Sequence, residues 1–266
     1  MKPISVMTKK RRAGKLFMLA LAASAALLAG NAQASTNTWN VAGDGAWDTS
    51  SANWTGDSTT FTSDGTVGVI FNKSAGGTIT VSPGMLPLST TVSAGAGTYK
   101  FSGGPIASGS LTKSGSGRLN IDGLLTCSGT VVPNTYSGGT IMNSGLLHLG
   151  GMYTGNSPDI KGTVGTGPVT LNGGTIEFDR VTETNALIVN GGTLYSQNGW
   201  GVRWNGPITL NGTLTSQTLY GMTYGGAISG TGGLLKTGND TLTLSGVNSY
   251  SGATTVTAGT LQCNNA

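Results

Sequence analysis

The 266-residue chain holds one histidine, two cysteines and ten carboxylates, so its options for acid–base, nucleophilic or metal chemistry are few. His148 lies in LLHLG, on the strand position facing away from Leu147 and Leu149. No sequence cluster supports a Ser-His-Asp triad or a zinc site around it, and it reads as a solvated-face residue. In TIEFD, Glu177 and Asp179 alternate with Ile176 and Phe178, which puts both carboxylates on one strand face about 7 Å apart. Such a pair suits glycoside acid–base chemistry. It is also what any half-buried strand shows, and the reading adopted is a solvated face. Trp200 and Trp204 straddle Arg203 in NGWGVRWNG. Flat rings stack on sugars and a guanidinium binds uronate carboxylates, so these three are the carbohydrate-contact candidates, set against plain core packing. Asp44 and Asp48, beside Gly43 and Gly45, lack the EF-hand spacing and the glycine-rich calcium nonapeptide. There is no Walker A sequence, and the Gly-x-Gly runs do not open helices. No catalytic residue, metal or cofactor is assigned.

Residues 1–34 carry an address. Lys9, Lys10, Arg11, Arg12 and Lys15 precede the apolar run LFMLALAASAALLAG (16–30), and Ala32-Gln33-Ala34 supplies a small-x-small cleavage pattern before Ser35. The run is short for a membrane span, which needs about 20 residues, and no later stretch is apolar enough. The expectation is a signal peptide cleaved between Ala34 and Ser35. Six of the 14 Lys/Arg fall in this segment and none of the acids, so the mature chain carries 8 basic and 10 acidic residues, a net −2. A basic surface for nucleic acid is excluded.

The mature chain is glycine-rich, with regularly interleaved Val, Ile, Leu and Thr and no helical periodicity, which reads as folded and all-β. TYSGGTIMNSGLLHLG (135–150) is echoed by SYSGATTVTAGTLQCN (249–264), and SGSLTKSGSGRLNIDG (108–123) by TGGLLKTGNDTLTLSG (231–246). The first copy carries an insertion within 124–135 that behaves as a surface loop. Cys127 and Cys263 each fall where the other copy has none; the export compartment would permit a disulfide, but two unrelated thiols are expected. Between the copies, PVTLNGGTIEF, LIVNGGTLYS and PITLNGTLTS share a pattern centred on Asn172, Asn190 and Asn211. A hairpin at each Asn-Gly is one reading. Short strands and a step of about 20 residues favour the other, coils of a parallel β-helix stacked one strand apart. TWNVAGDGAWDTSSANWTG (38–56) holds three of the five tryptophans and reads as a cap over the open first coil.

Gly232, Leu234, Lys236, Gly238, Leu242, Leu244 and Gly246, then Asn248, Tyr250, Ser251, Gly252 and Thr254, then Ala258 to Gln262, resemble the autotransporter-associated β-strand repeat, also called the passenger-associated transport repeat. The resemblance is looser over 108–150. Asp240 stands where the repeat usually has glycine, and the sequence ends at Ala266 with no β-barrel translocator. The resemblance implies coils of a right-handed parallel β-helix in secreted or surface-displayed bacterial proteins, where the repeats aid export and folding and are not catalytic.

Together these readings give an all-β chain. It comprises a signal peptide (1–34), a Trp-rich capping module with the first strands (35–103) and a right-handed parallel β-helix (104–266) with repeats at 108–150 and 231–264. The expected role is an exported structural or surface-interaction protein, secreted or at the cell surface, using export machinery. It would meet surface polysaccharide or other surface components, with no nucleic acid and no membrane span in the mature chain. The alternatives are a polysaccharide-acting β-helix enzyme, which finding Glu177, Asp179, Glu183 and Arg203 in one groove would favour, and a non-catalytic carbohydrate-binding module.

Overall fold

The computed structural model describes residues 34–122, 124–125, 131–150, 160–161, 163–198 and 202–264. The chain divides into Met1–Ala34 and Ser35–Ala266, and the fold described is that of the second part. Among the described residues every regular element is a strand, and the strands wind into a parallel β-solenoid of about eight turns. Among the described residues no helix is long and apolar enough to cross a membrane.

Three ladders line the solenoid. The first runs from Ser35–Trp39 to Ile228–Gly230, the second from Gly45–Trp47 to Thr254–Val256, and the third from Ile160–Lys161 to Thr260–Cys263. Typical strands are three residues long with the middle side chain outward: Val169–Leu171, Leu187–Val189 and Ile208–Leu210 each bury their outer two residues. Val169 pairs with Leu187 and Leu187 with Ile208, all in parallel. Each hydrophobic residue therefore stacks on one a coil away, about 4.8 Å along the axis. Val169, Leu171, Ile176, Leu187, Val189, Leu194, Ile208, Leu210 and Leu214 are all buried, as the solenoid reading requires and the hairpin reading does not.

The corner between first and second ladders is held by asparagines. Nδ2 of Asn172 donates to Oδ1 of Asn143 at 2.8 Å, Asn190 to Asn172 at 2.7 Å and Asn211 to Asn190 at 2.9 Å. Asn143 donates in turn to Ser114 Oγ at 3.1 Å. An amide carries a donor and an acceptor at opposite ends of one short group, so identical residues stacked at the strand spacing satisfy one another.

One stacking differs from the sequence pattern. Leu214 pairs with Gly192, and Ser216 takes the position over Leu194. The Asn211 motif has one residue fewer between its asparagine and its leucine than the Asn190 motif, and its bend holds one residue more before the paired ladder position, so the apolar column moves sideways by two residues. Ser216 is buried there, accepting a hydrogen bond from Tyr224 Oη at 2.9 Å.

Glycine serves this close stacking. A Cβ on Gly206 would lie 2.0 Å from the carbonyl oxygen of Asn185, on Gly226 2.0 Å from that of Gly206, and on Gly246 2.2 Å from that of Gly226. At this column only hydrogen fits between coils.

At the N-terminal side, Trp54–Gly56 lies antiparallel to Ser35–Trp39 and occupies that edge of the first ladder. Trp39, Trp47, Trp54, Phe61 and Phe71 are buried together, with Trp39 edge-on to Trp54 at 5.1 Å and Trp47 edge-on to Phe61 at 5.6 Å. The insertion of the first repeat leaves the solenoid as a separate antiparallel pair, Leu124–Leu125 with Val131–Val132. Cys127 lies outside the described residues, and Cys263 is a free, exposed thiol in the last described strand.

Leu194 is completely buried in a middle coil. Leu194→Asp should place an unpaired charge there, remove several kcal/mol of stability, and abolish the cooperative β-sheet melting transition followed by circular dichroism.

Candidate functional site

The second ladder gathers most of the outward chemistry. Its register lines up Asn120, His148, Glu177 and Tyr195 in one outward column, and Arg118 reaches in from the strand Arg118–Asp122. The Arg118 guanidinium spans both oxygens of Glu177, at 2.8 and 3.3 Å, while its Nε donates to Asn120 Oδ1 at 2.6 Å. His148 Nδ1 is 2.8 Å from Glu177 Oε1. Glu177 is only 2% exposed, which corrects the solvated-face reading: its carboxylate is covered by an arginine and the histidine. His148 likewise has an ionic partner in place of open solvent. The signal in the sequence was present, since Arg118, His148 and Glu177 hold related positions in successive coils, but only the register brings them together.

This cluster binds itself. Both Glu177 oxygens are engaged and the side chain is only 3% exposed, so the carboxylate is turned to its arginine and histidine partners and away from solvent. The residues that would favour an enzyme reading do not converge: Asp179 ends the same strand as Glu177, but the other two lie elsewhere. Glu177 is on the outer face of the second ladder, Arg203 is exposed on the third, and Glu183 is fully buried inside. Among the described residues no group of three or more His, Cys, Asp or Glu could hold a metal ion.

The carbohydrate-contact candidates separate as well. Trp204 is 1% exposed, its Nε1 donates to the Asn185 carbonyl at 2.9 Å, and its ring meets Phe178 edge-on at 6.0 Å. It therefore packs the core and presents no ring face to a sugar. Arg203 points outward from the same strand, and Trp200 lies outside the described residues. Ser35 opens the first strand, where its Oγ and the Thr36 amide both donate to Asp57, at 2.8 and 2.9 Å.

The shared motif residues have structural partners that the sequence did not disclose. Lys113 and Lys236 are both completely buried. Lys113 Nζ donates to the carbonyls of Ser114, Gly115 and Ser144 at 2.7, 2.9 and 3.2 Å. Lys236 Nζ donates to those of Thr237, Gly238 and Ala258 at 2.7, 2.8 and 3.0 Å. Burial lowers the Lys113 ammonium to about 8 and shifts Lys236 the same way. Gly145 and Gly259 complete the two cradles at φ 76° and 69°. A Cβ there would sit 2.7 Å from Lys113 Nζ or 2.8 Å from Lys236 Nζ. Tyr136 Oη and Thr140 Oγ1 share a hydrogen bond of 2.7 Å, and Tyr250 and Thr254 repeat it at 2.6 Å. The first pair is buried under Val164 and Gly165; the second lies on the last described coil and is exposed.

The two copies occupy different corners. In the first, the lysine strand Leu111–Lys113 is in the first ladder and Arg118–Asp122 in the second. In the second, Leu234–Thr237 is in the second ladder and Thr241–Leu244 in the third. The repeat thus encodes a bend between two strands, usable at either corner.

Glu183 is a fully buried carboxylate with one oxygen unsupported. Its Oε1 accepts from the Thr163 amide at 3.2 Å and from the Thr163 hydroxyl, and its Oε2 has no hydrogen-bond partner. Burial raises its pKa from 4.5 to about 7, against the two Thr163 hydrogen bonds, which lower it. Because the folded pKa is the higher one, its contribution is full below pH 4.5 and is lost as pH rises through 7. Stability should fall by roughly 3 kcal/mol across that window, read by urea denaturation at pH 4.5 and 8, and Glu183→Gln should flatten the dependence. On the outer face, Glu177→Gln should cost about 1–3 kcal/mol by weakening its charge-assisted hydrogen bonds, measured in the same assay.

A family model described as Passenger-associated-transport-repeat matches residues 111–149 and 234–262. No curated protein and no solved structure matches the chain. The matched segments are the two lysine-cradle bends and the Tyr-Thr strands that follow them. The chain carries two passenger-associated transport repeats in a parallel β-solenoid.

Proposed function

We propose that this is an exported bacterial protein of the autotransporter-passenger type, with a structural or surface-interaction role. The observation that carries the proposal is the use made of the repeats. Both repeat lysines, and Thr140 of the first copy, donate to main-chain carbonyls of a neighbouring coil, while each tyrosine pairs with the threonine four residues on. The repeat family is associated with autotransporter passenger domains, which are exported. The sequence of residues 1–34 supports secretion to the medium or the cell surface.

In this reading the solenoid winds right-handed and the Trp-rich segment closes its first coil. The antiparallel strand Trp54–Gly56 and the aromatic cluster behind it are the support for that closure. Partners are surface polysaccharide or other cell-surface components, together with export machinery. Contact with them would use the outward columns, since Trp204 is unavailable.

Expression of the full precursor in a Gram-negative host should give exported material whose first residue is Ser35 by N-terminal sequencing. Material beginning at Met1, or well beyond Thr38, would refute the export reading. Deleting residues 1–34 should leave the protein in the cytoplasm.

A further inference from the structure

We propose that the buried lysine of each repeat is a one-way latch, fastening its own coil to the coil that follows it in the chain. An ammonium has three N–H donors and no acceptor. In both copies all three are used, and all three acceptors are main-chain carbonyls: two on the lysine's own bend and one on the corresponding bend of the next coil. The coil before the lysine supplies none. The side chains that carry these carbonyls differ between copies, serine against threonine and serine against alanine, and so does the corner of the solenoid. The backbone geometry is nevertheless reproduced, so the arrangement does not depend on local neighbours.

The positions around it follow from the latch. Lys113 stands in an inward column between Val92 and Met142, and Lys236 between Ser216 and Val256. An apolar side chain would satisfy hydrophobic stacking at the first site, so the amine is there for the carbonyls. Each third acceptor, Ser144 or Ala258, is followed by a glycine in the left-handed region, whose missing Cβ leaves room for Nζ. With the next coil seated, the lysine's third N–H and the bend carbonyl of that coil satisfy each other, whereas a seated successor facing an apolar side chain in place of the lysine holds a buried carbonyl with no donor. The repeat therefore makes coil addition favourable toward the C-terminal side and leaves the N-terminal side unaffected.

Amide hydrogen exchange on the full chain tests the direction. Lys113→Met should raise exchange about tenfold or more in Thr140–Met142 and Leu146–Gly150, while Ser89–Val92 and Thr98–Gly103 stay within about twofold of the parent protein. Lys236→Met should do the same to Thr254–Val256 and Thr260–Cys263 and spare Leu214–Thr218. This second variant sits near the last described coil and gives the reading even if Lys113→Met does not fold. Equal loosening on both sides of the lysine, or no change on either, would overturn the proposal.

Discussion

Main-chain pairing between consecutive coils governs everything else in this molecule. Each coil turns its N–H and C=O groups along the axis, and a parallel ladder accepts a neighbour only in register. Each side chain is thereby placed above its counterpart one coil away, and any group that stacks badly on itself is penalised repeatedly. The asparagine corner, the glycine column at Gly206, Gly226 and Gly246, and the alternating inward residues are three answers to that one requirement.

Charge is handled in three ways under the same constraint. The lysines are taken fully inside and saturated by carbonyls, which are the only acceptors a solenoid interior has in quantity. Glu177 stays on the outer face, where arginine and histidine from other coils close over it. Glu183 is taken inside with half its acceptor capacity unmet: Thr163 supplies both of its hydrogen bonds, and both go to one oxygen. The difference follows from the backbone: N–H groups inside the ladders are already committed, whereas bend carbonyls are free to turn inward.

Much of this architecture was legible in the sequence. The three Asn-Gly segments disclosed the coil step, the corner ladder and the inward residues, because each is a local pattern repeated at fixed spacing. The sideways shift at Leu214 was not legible, since one extra residue in a bend changes which neighbour it meets without changing its own alternation. Nor was the Arg118, His148 and Glu177 cluster, whose members lie as much as 59 residues apart and meet only through register. Lys113 and Lys236 were visible as repeated letters. Their role was hidden because their partners are backbone atoms, which leave no mark in a sequence. Trp204 misled for the opposite reason, as an aromatic next to an arginine looks the same whether the ring faces solvent or core.

The displacement of the second repeat by one corner reaches the protein's outer surface. The strand after the lysine bend shows Arg118 and Asn120 from the second ladder in one copy, and Thr241 and Thr243 from the third ladder in the other. Duplicating such a unit does not simply lengthen a stripe along the rod. It turns the motif's exterior to a new bearing about the axis, so a chain grown by duplication can vary what each of its sides displays while the bends inside remain the same.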